Sequence, residues 1–242
     1  MATWIVHLRI AELLLGQIAG LDAPLFAVGN IAPDSGIPDE KWEKFTPDPA
    51  VTHFKVETDT YYGCADLEFF RRHLLPLRDG ESDPLGYSFL LGYFCHLLTD
   101  NLWWQIIDKP NRERYGEQFA IDRNFIWEIK QDWYGLDQRY VREHPGSLFW
   151  RVFLNCAYDR ADLDFLPKEA TQQRIAYIQK FYQDDGEPIH QMMARPFIYL
   201  SQAQMDAFVE EAAATIAKVQ RRVWQADEAL EGKVSGLELV EG

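Results

Sequence analysis

"PLGYSFLLGYFCHLLT", residues 84–99, is the most apolar run of the chain, and its reading decides the fold. It holds sixteen uncharged residues, among them a His, a Ser and two Gly. A membrane-spanning helix needs roughly 20 predominantly apolar residues, so the run is too short and too interrupted to be one. A buried core helix of a soluble protein is the better reading. Asp83 supplies an N-cap and Pro84 a first-turn proline, and the apolar pattern carries the helix to about Ile107.

Helical signals extend outward on both sides of this run. Residues 3–19 form a first helix, with Gly20 placed to end it. Residues 123–144, "RNFIWEIKQDWYGLDQRYVREH", carry aromatic and aliphatic residues at three- and four-residue spacing. Ser147 is placed to cap "LFWRVFLNCAYD", and Pro167 opens "KEATQQRIAYIQKFYQDD". Ser201 with Gln204 makes a capping box at the head of the last long helix. No run alternates as a strand would, and nothing repeats. Residues 30–60 are rich in Pro and Asp and read as one long loop, a feature that in compact domains is usually functional or disordered. The expected fold is all-α: a single multi-helix domain over residues 1–228, followed by a flexible tail from 229 to 242.

At 47% hydrophobic and 14% aromatic, the 242 residues hold ample material for a core. Twenty-four basic residues against 38 acidic ones leave a net charge of −14, which repels phosphate backbones and argues against nucleic acid as a partner. The same balance offers no polybasic patch for anionic lipid. Cys64, Cys95 and Cys156 are odd in number and lack CxxC spacing, so they read as reduced core thiols of a cytoplasmic protein. The apolar N-terminus has no basic n-region and is broken by His7, Arg9 and Glu12, so no signal peptide is expected.

Of the six histidines, His96 is the most informative. It lies four residues before Asp100 on the most apolar helix, so an imidazole and a carboxylate project from one buried face. A buried carboxylate must be paired or bound to a cation. A metal ion would satisfy Asp100 and take a nitrogen from His96, and zinc accepts that mixture readily. A plain buried His–Asp hydrogen bond is the competing explanation. His7 on the first helix, taken alone, reads more readily as a satisfied core histidine than as a ligand, and His53 in "THF" as a surface residue of the loop. His73 and His144 look solvent-facing, while His190 carries no signal. In "FAVGNIAPDSG", residues 26–36, Asp34 follows Pro33 in the loop and is a candidate inward-facing carboxylate. His7, Asp34, His53, His96 and Asp100 thus fall in that order within the first hundred residues.

The pieces "HLRIAELLL", "GNIAPDSG", "THF" and "LGYFCHLLTDNLW" together resemble the zinc-dependent phospholipase C family, whose wider superfamily includes single-strand-specific zinc nucleases. The likeness covers roughly residues 4–104, and "GNIAPDSG" and "LGYFCHLLTD" are its most specific parts. It implies an all-α fold and a zinc centre of one or two ions, with other divalent metals as alternatives. His7 and Asp100 would hold one ion, and Asp34, His53, His96 and Asp100 another, Asp100 bridging. It further implies a hydrolase of phosphoric esters that uses metal-activated water, with Asp34 as a candidate general base.

Two departures accompany the likeness. Secreted members begin with a tryptophan whose amine and carbonyl complete a zinc site, whereas Trp4 here follows Met-Ala-Thr. The family's third zinc uses two histidines and a glutamate downstream, the last His and Glu spaced i, i+4. Neither His144 nor His190 has a Glu four residues on, and Asp122, Asp132 and Asp137 are the substitutes at hand. The acidic surface favours a small phosphate ester, or a neutral or cationic headgroup, as substrate. A non-catalytic helical protein keeping the metal for stability or partner binding is the alternative. A phosphohydrolase of the HD type would need an adjacent His-Asp pair, and the sequence has none.

Overall fold

A computed structural model describes residues 1–41, 43–57, 62–78, 82–161, 163–225 and 230–240. The chain opens with α1 (Trp4–Leu15) and α2 (Ala23–Gly29), the latter capped by the Asp22 side chain, which accepts from the Leu25 N–H. A 3₁₀ turn at Ala32–Asp34 follows directly. The stretch expected as one long loop then breaks into small elements. β1 (Ile37–Pro38) pairs antiparallel with β2 (Phe45–Thr46), α3 (Pro49–Thr52) makes a single turn, and β3 (Lys55–Glu57) pairs with β4 (Tyr62–Cys64). Strands of two or three residues are too short to show alternation, which is why the sequence pattern misses them.

After α4 (Asp66–Phe69) comes α5 (Pro84–Trp103), the apolar run of the sequence. Asp83 caps it as expected, accepting from the Gly86 N–H at 2.8 Å. Every residue from Ser88 to Trp103 is buried, so the helix is enclosed on all sides, as a chain apolar all round must be. It continues as a π-helical turn through Asp108. Around it lie α6 (Lys109–Arg114), α7 (Gly116–Ile121), α8 (Ile126–Glu143), α9 (Leu148–Arg151), α10 (Lys168–Gln183), α11 (Glu187–Ala194) and α12 (Gln202–Val223). The architecture is all-α, and among the described residues no helix is long and apolar enough to cross a membrane.

Packing against α5 is closest at α2, where two glycines face each other's backbone. A Cβ at Gly29 would lie 2.0 Å from the Phe89 carbonyl oxygen, and one at Gly92 would lie 2.3 Å from that of Phe26. α1 and α12 pack on other sides of the same core. The Ser201–Gln204 capping box forms at the head of α12. Ser147 does not cap α9: the Leu148 N–H there donates to Glu12 of α1 instead, and the helix stops after one turn.

The C-terminal segment, expected to be a loose tail, packs against the domain over its described part. Leu230, Ser235 and Leu237 are buried, and Ser235 with Glu238 forms a capping box on a 3₁₀ turn. Asp66 of α4 anchors that turn, accepting from the Gly236 N–H at 2.7 Å and the Ser235 hydroxyl at 2.5 Å. Asn101 of α5 donates to the same carboxylate.

Candidate metal centre

Four separate segments deliver the five side chains singled out above. His7 sits on the buried face of α1, and His96 and Asp100 one turn apart on α5. Asp34 ends the 3₁₀ turn after α2, which the Asp34 N–H closes on the Ile31 carbonyl. His53 follows α3, a turn started by the Asp48 carboxylate and drawn to α5 by the Tyr93 hydroxyl, which donates to the Thr52 carbonyl. Phe54 then takes a left-handed φ of 50°, turning the chain away into β3.

The five meet at one point. His53 Nε2 lies 3.3 Å from His96 Nε2, 3.3 Å from Asp34 Oδ1 and 3.6 Å from Asp100 Oδ2. Asp100 Oδ2 is 3.7 Å from His96 Nε2, and its Oδ1 is 3.5 Å from His7 Nε2. His7, His96 and Asp100 form one converging triad, and Asp34, His53 and His96 a second, with His96 common to both. The three histidines are fully buried and the Asp100 side chain is nearly so; Asp34, with 10% of its side chain exposed, is the edge that reaches solvent.

Backbone carbonyls set the tautomers. His96 Nδ1 lies 2.8 Å from the Asn30 carbonyl and His53 Nδ1 lies 2.9 Å from that of Pro49. A carbonyl only accepts, so both Nδ1 atoms carry hydrogen and both Nε2 lone pairs point at each other. Such an arrangement needs a proton or a cation between the rings. One proton satisfies one pair, yet Asp100 Oδ2 and both ring nitrogens of His7 also lack a hydrogen-bond partner while fully buried. Donors held about 2.0–2.1 Å from a tetrahedral ion lie about 3.3–3.4 Å apart, close to the separations among Asp34, His53, His96 and Asp100. The donor set therefore fits a metal ion, with the outer imidazole hydrogens committed as such ligands require.

Electrostatics agrees. Burial alone would raise Asp34, but the His53 hydrogen bond and the His96 charge outweigh it and hold the carboxyl below its usual range. Burial likewise opposes Asp100, which the N-terminal charge and the His7 and His96 contacts bring well down. Burial pushes His7 to about 4, and the neighbouring His96 adds to the effect, so His7 is a neutral donor at physiological pH. His96 is raised despite its burial, chiefly by Asp100. Two carboxylates held toward their ionised form give the cluster negative charge that a buried cation offsets.

The remaining sequence candidates lie elsewhere. Asp122 is exposed and accepts from the Asn124 N–H. Asp132 accepts from the Ile198 and Tyr199 N–H groups, and Asp137 from Thr3 and Tyr182. None of the three belongs to a converging His/Asp group among the described residues. His144 and His190 are exposed, whereas His73, expected at the surface, is half-buried against Phe54, Phe69 and Phe165. Trp4 is not the residue that brings the N-terminal backbone to the site. The Ala2 N–H does, donating to Asp100 Oδ1 at 2.7 Å. That contact, like the Asn30 and Pro49 carbonyls, is made by backbone atoms that leave no mark on a sequence.

No protein-family model matches the chain, and neither curated proteins nor solved structures yield a match. What the site can do is therefore argued from its own geometry: five His and Asp side chains, four of them buried, that could hold a metal ion.

Proposed function

We propose that the chain is a metal-dependent hydrolase of phosphoric esters, related to the zinc-dependent phospholipase C family, with zinc as its metal. The observation that carries this reading is the convergence of Asp34, His53, His96, His7 and Asp100, with the outer imidazole hydrogens of His53 and His96 locked to carbonyls. Three imidazoles with two carboxylates suit zinc better than the harder magnesium or calcium. A divalent ion held there would supply Lewis acidity toward a phosphoryl oxygen and toward water.

The protein's own groups then have distinct tasks. His7, His53, His96 and Asp100 hold the ion from the interior, where burial keeps bulk water out. Asp34 alone stands at the solvent edge, placed to accept a proton from a water entering beside it. Pro33 and the Ile31 carbonyl fix its turn.

Metal analysis of purified protein beside His96→Ala and Asp100→Asn, followed by a screen of phosphomonoesters and phosphodiesters with added zinc, tests the reading. Stoichiometric metal in the wild type alone, with turnover that Asp34→Asn abolishes, is expected. A wild type without metal defeats it. The near-complete enclosure of four of the five ligands favours one second reading, a structural metal site. Full metal occupancy with no turnover on any ester would select that alternative.

A further inference from the structure

Many cations of this acidic chain are paired: Arg9 with Asp206, Arg72 with Glu68, Arg195 with Glu128. Two others form no ion pair among the described residues. Arg174, on α10, is only 8% exposed. Its Nη2 donates to the Gly36 carbonyl at 2.9 Å, two residues beyond Asp34. Its Nε is buried and finds no acceptor. The guanidinium carbon lies 5.5 Å from the Trp4 ring centroid and 5.6 Å from that of Tyr177. The group is thus clamped between the Asp34 turn and the start of α1, against the edge of the cluster that reaches solvent.

Lys130 and Tyr134 lie one turn apart on α8, both half-buried. Lys130 Nζ sits 4.8 Å over Trp127 and forms no ion pair among the described residues, although the fields of Asp108, Asp34 and Asp100 reach it. Tyr134 lies within the fields of Asp137, Asp34, Tyr177 and Arg174. Burial lowers both Lys130 and Arg174 from their usual values, as befits cations held out of water without a counter-ion.

We propose that Arg174, aided by Lys130 and Tyr134 of α8, grips the phosphoryl oxygens of the substrate, and that the site takes the dianionic phosphate end of a monoester. The inference rests on the metal-centre reading above. A desolvated guanidinium with an unused Nε–H is costly until an anion arrives, and its planar fork matches two phosphate oxygens. The net charge of −14 repels phosphate at long range, so a local pair of cations is what lets one enter. A diester, with one charge, would use the pair less fully.

The test titrates inorganic phosphate and dimethyl phosphate into the zinc-loaded protein by calorimetry, recording bound metal for every variant. Arg174→Ala should weaken phosphate binding about 10-fold or more, the range of a lost charge-assisted hydrogen bond. Arg174→Lys should restore part of it, and Lys130→Ala should weaken it less, all with metal content unchanged. Equal phosphate affinity across wild type, Arg174→Lys and Lys130→Ala overturns the inference, even if Arg174→Ala fails to fold. Dimethyl phosphate binding as tightly as phosphate overturns it too. A wild type that takes up no metal defeats the functional reading instead, and the same titration of metal-free protein still decides the part assigned to Arg174.

Discussion

His7 and His96 stack face to face, with ring centroids 3.8 Å apart and planes 3° from parallel. They come from α1 and α5, and Asp100 lies beside both. Two imidazolium ions could not share that spacing in a dry interior, so at least one ring stays neutral, and burial makes it His7.

His7→Phe keeps the ring and the stack while removing both unpartnered nitrogens. The metal-free variant should therefore be at least as stable as metal-free wild type, since it no longer buries two unsatisfied polar atoms. Its metal affinity should fall by about 100-fold or more, beyond the 10–100-fold typical of outer-shell changes. Denaturant melts of both metal-free proteins, with elemental analysis after dialysis against zinc, check the two halves separately.

Gly92→Ala should act on the same site from behind. The new Cβ would stand 2.3 Å from the Phe26 carbonyl oxygen and 3.0 Å from the Asn30 nitrogen, so α2 must back away from α5. Overpacking of this kind costs about 1–3 kcal/mol. The Asn30 carbonyl that orients His96 moves with α2, so metal affinity should drop by about 10–100-fold as well. Gly116→Ala is the control. Its Cβ meets nothing, and a helical Gly→Ala change there should be neutral or stabilise by up to about 1 kcal/mol. Thermal melts should fall for Gly92→Ala and hold or rise for Gly116→Ala.

These cases mark what the sequence could and could not disclose. The Asp83 cap, the Ser201–Gln204 box and the shared face of His96 and Asp100 are local facts, legible from spacing of three or four residues. Ser235 and Glu238 make the same kind of box, so the docked C-terminal turn carried a readable signal too. His53 is different. It read as a loop residue because its burial comes from Tyr93, far along the chain, bonding the Thr52 carbonyl. The Ala2, Asn30 and Pro49 backbone contacts have no side-chain signature at all. Nothing in "QQRIAY" sets Arg174 apart from a helix-surface arginine, since only the fold brings it to Gly36.

Removing the metal should cost stability and not only activity. Without a cation, the facing Nε2 lone pairs and the Asp100 Oδ2 atom are left with at most a shared proton. A ligand that binds the folded state alone stabilises it by mass action, about 2.7 kcal/mol at a hundredfold excess over Kd. Chelator treatment should therefore lower Tm by several degrees, and zinc should restore it in a concentration-dependent way. In Asp34→Asn/His96→Ala, chelator and zinc should leave Tm nearly unmoved, as scanning calorimetry would show.

The last prediction concerns the strap that holds Ala2 against Asp100. Thr3, the next residue, donates its hydroxyl to Asp137 of α8 at 2.7 Å, and the Tyr182 hydroxyl of α10 donates to the other oxygen at 2.7 Å. Burial raises Asp137 to about 7, with those two hydroxyls only partly opposing it. The folded state therefore favours the protonated acid more than the unfolded chain does. For such a group the stabilising contribution is complete below the ordinary carboxylate value near 4 and is lost as pH climbs through about 7. Wild type should lose about 2–3 kcal/mol from this source between pH 5 and pH 8. Asp137→Asn keeps an amide for both hydroxyls, which can rotate to suit it, and cannot ionise. Urea melts of metal-free protein at the two pH values should show a clearly smaller loss in the variant. An equal loss in both proteins would mean that Asp137 stays charged throughout, and the pH dependence would then belong to another group.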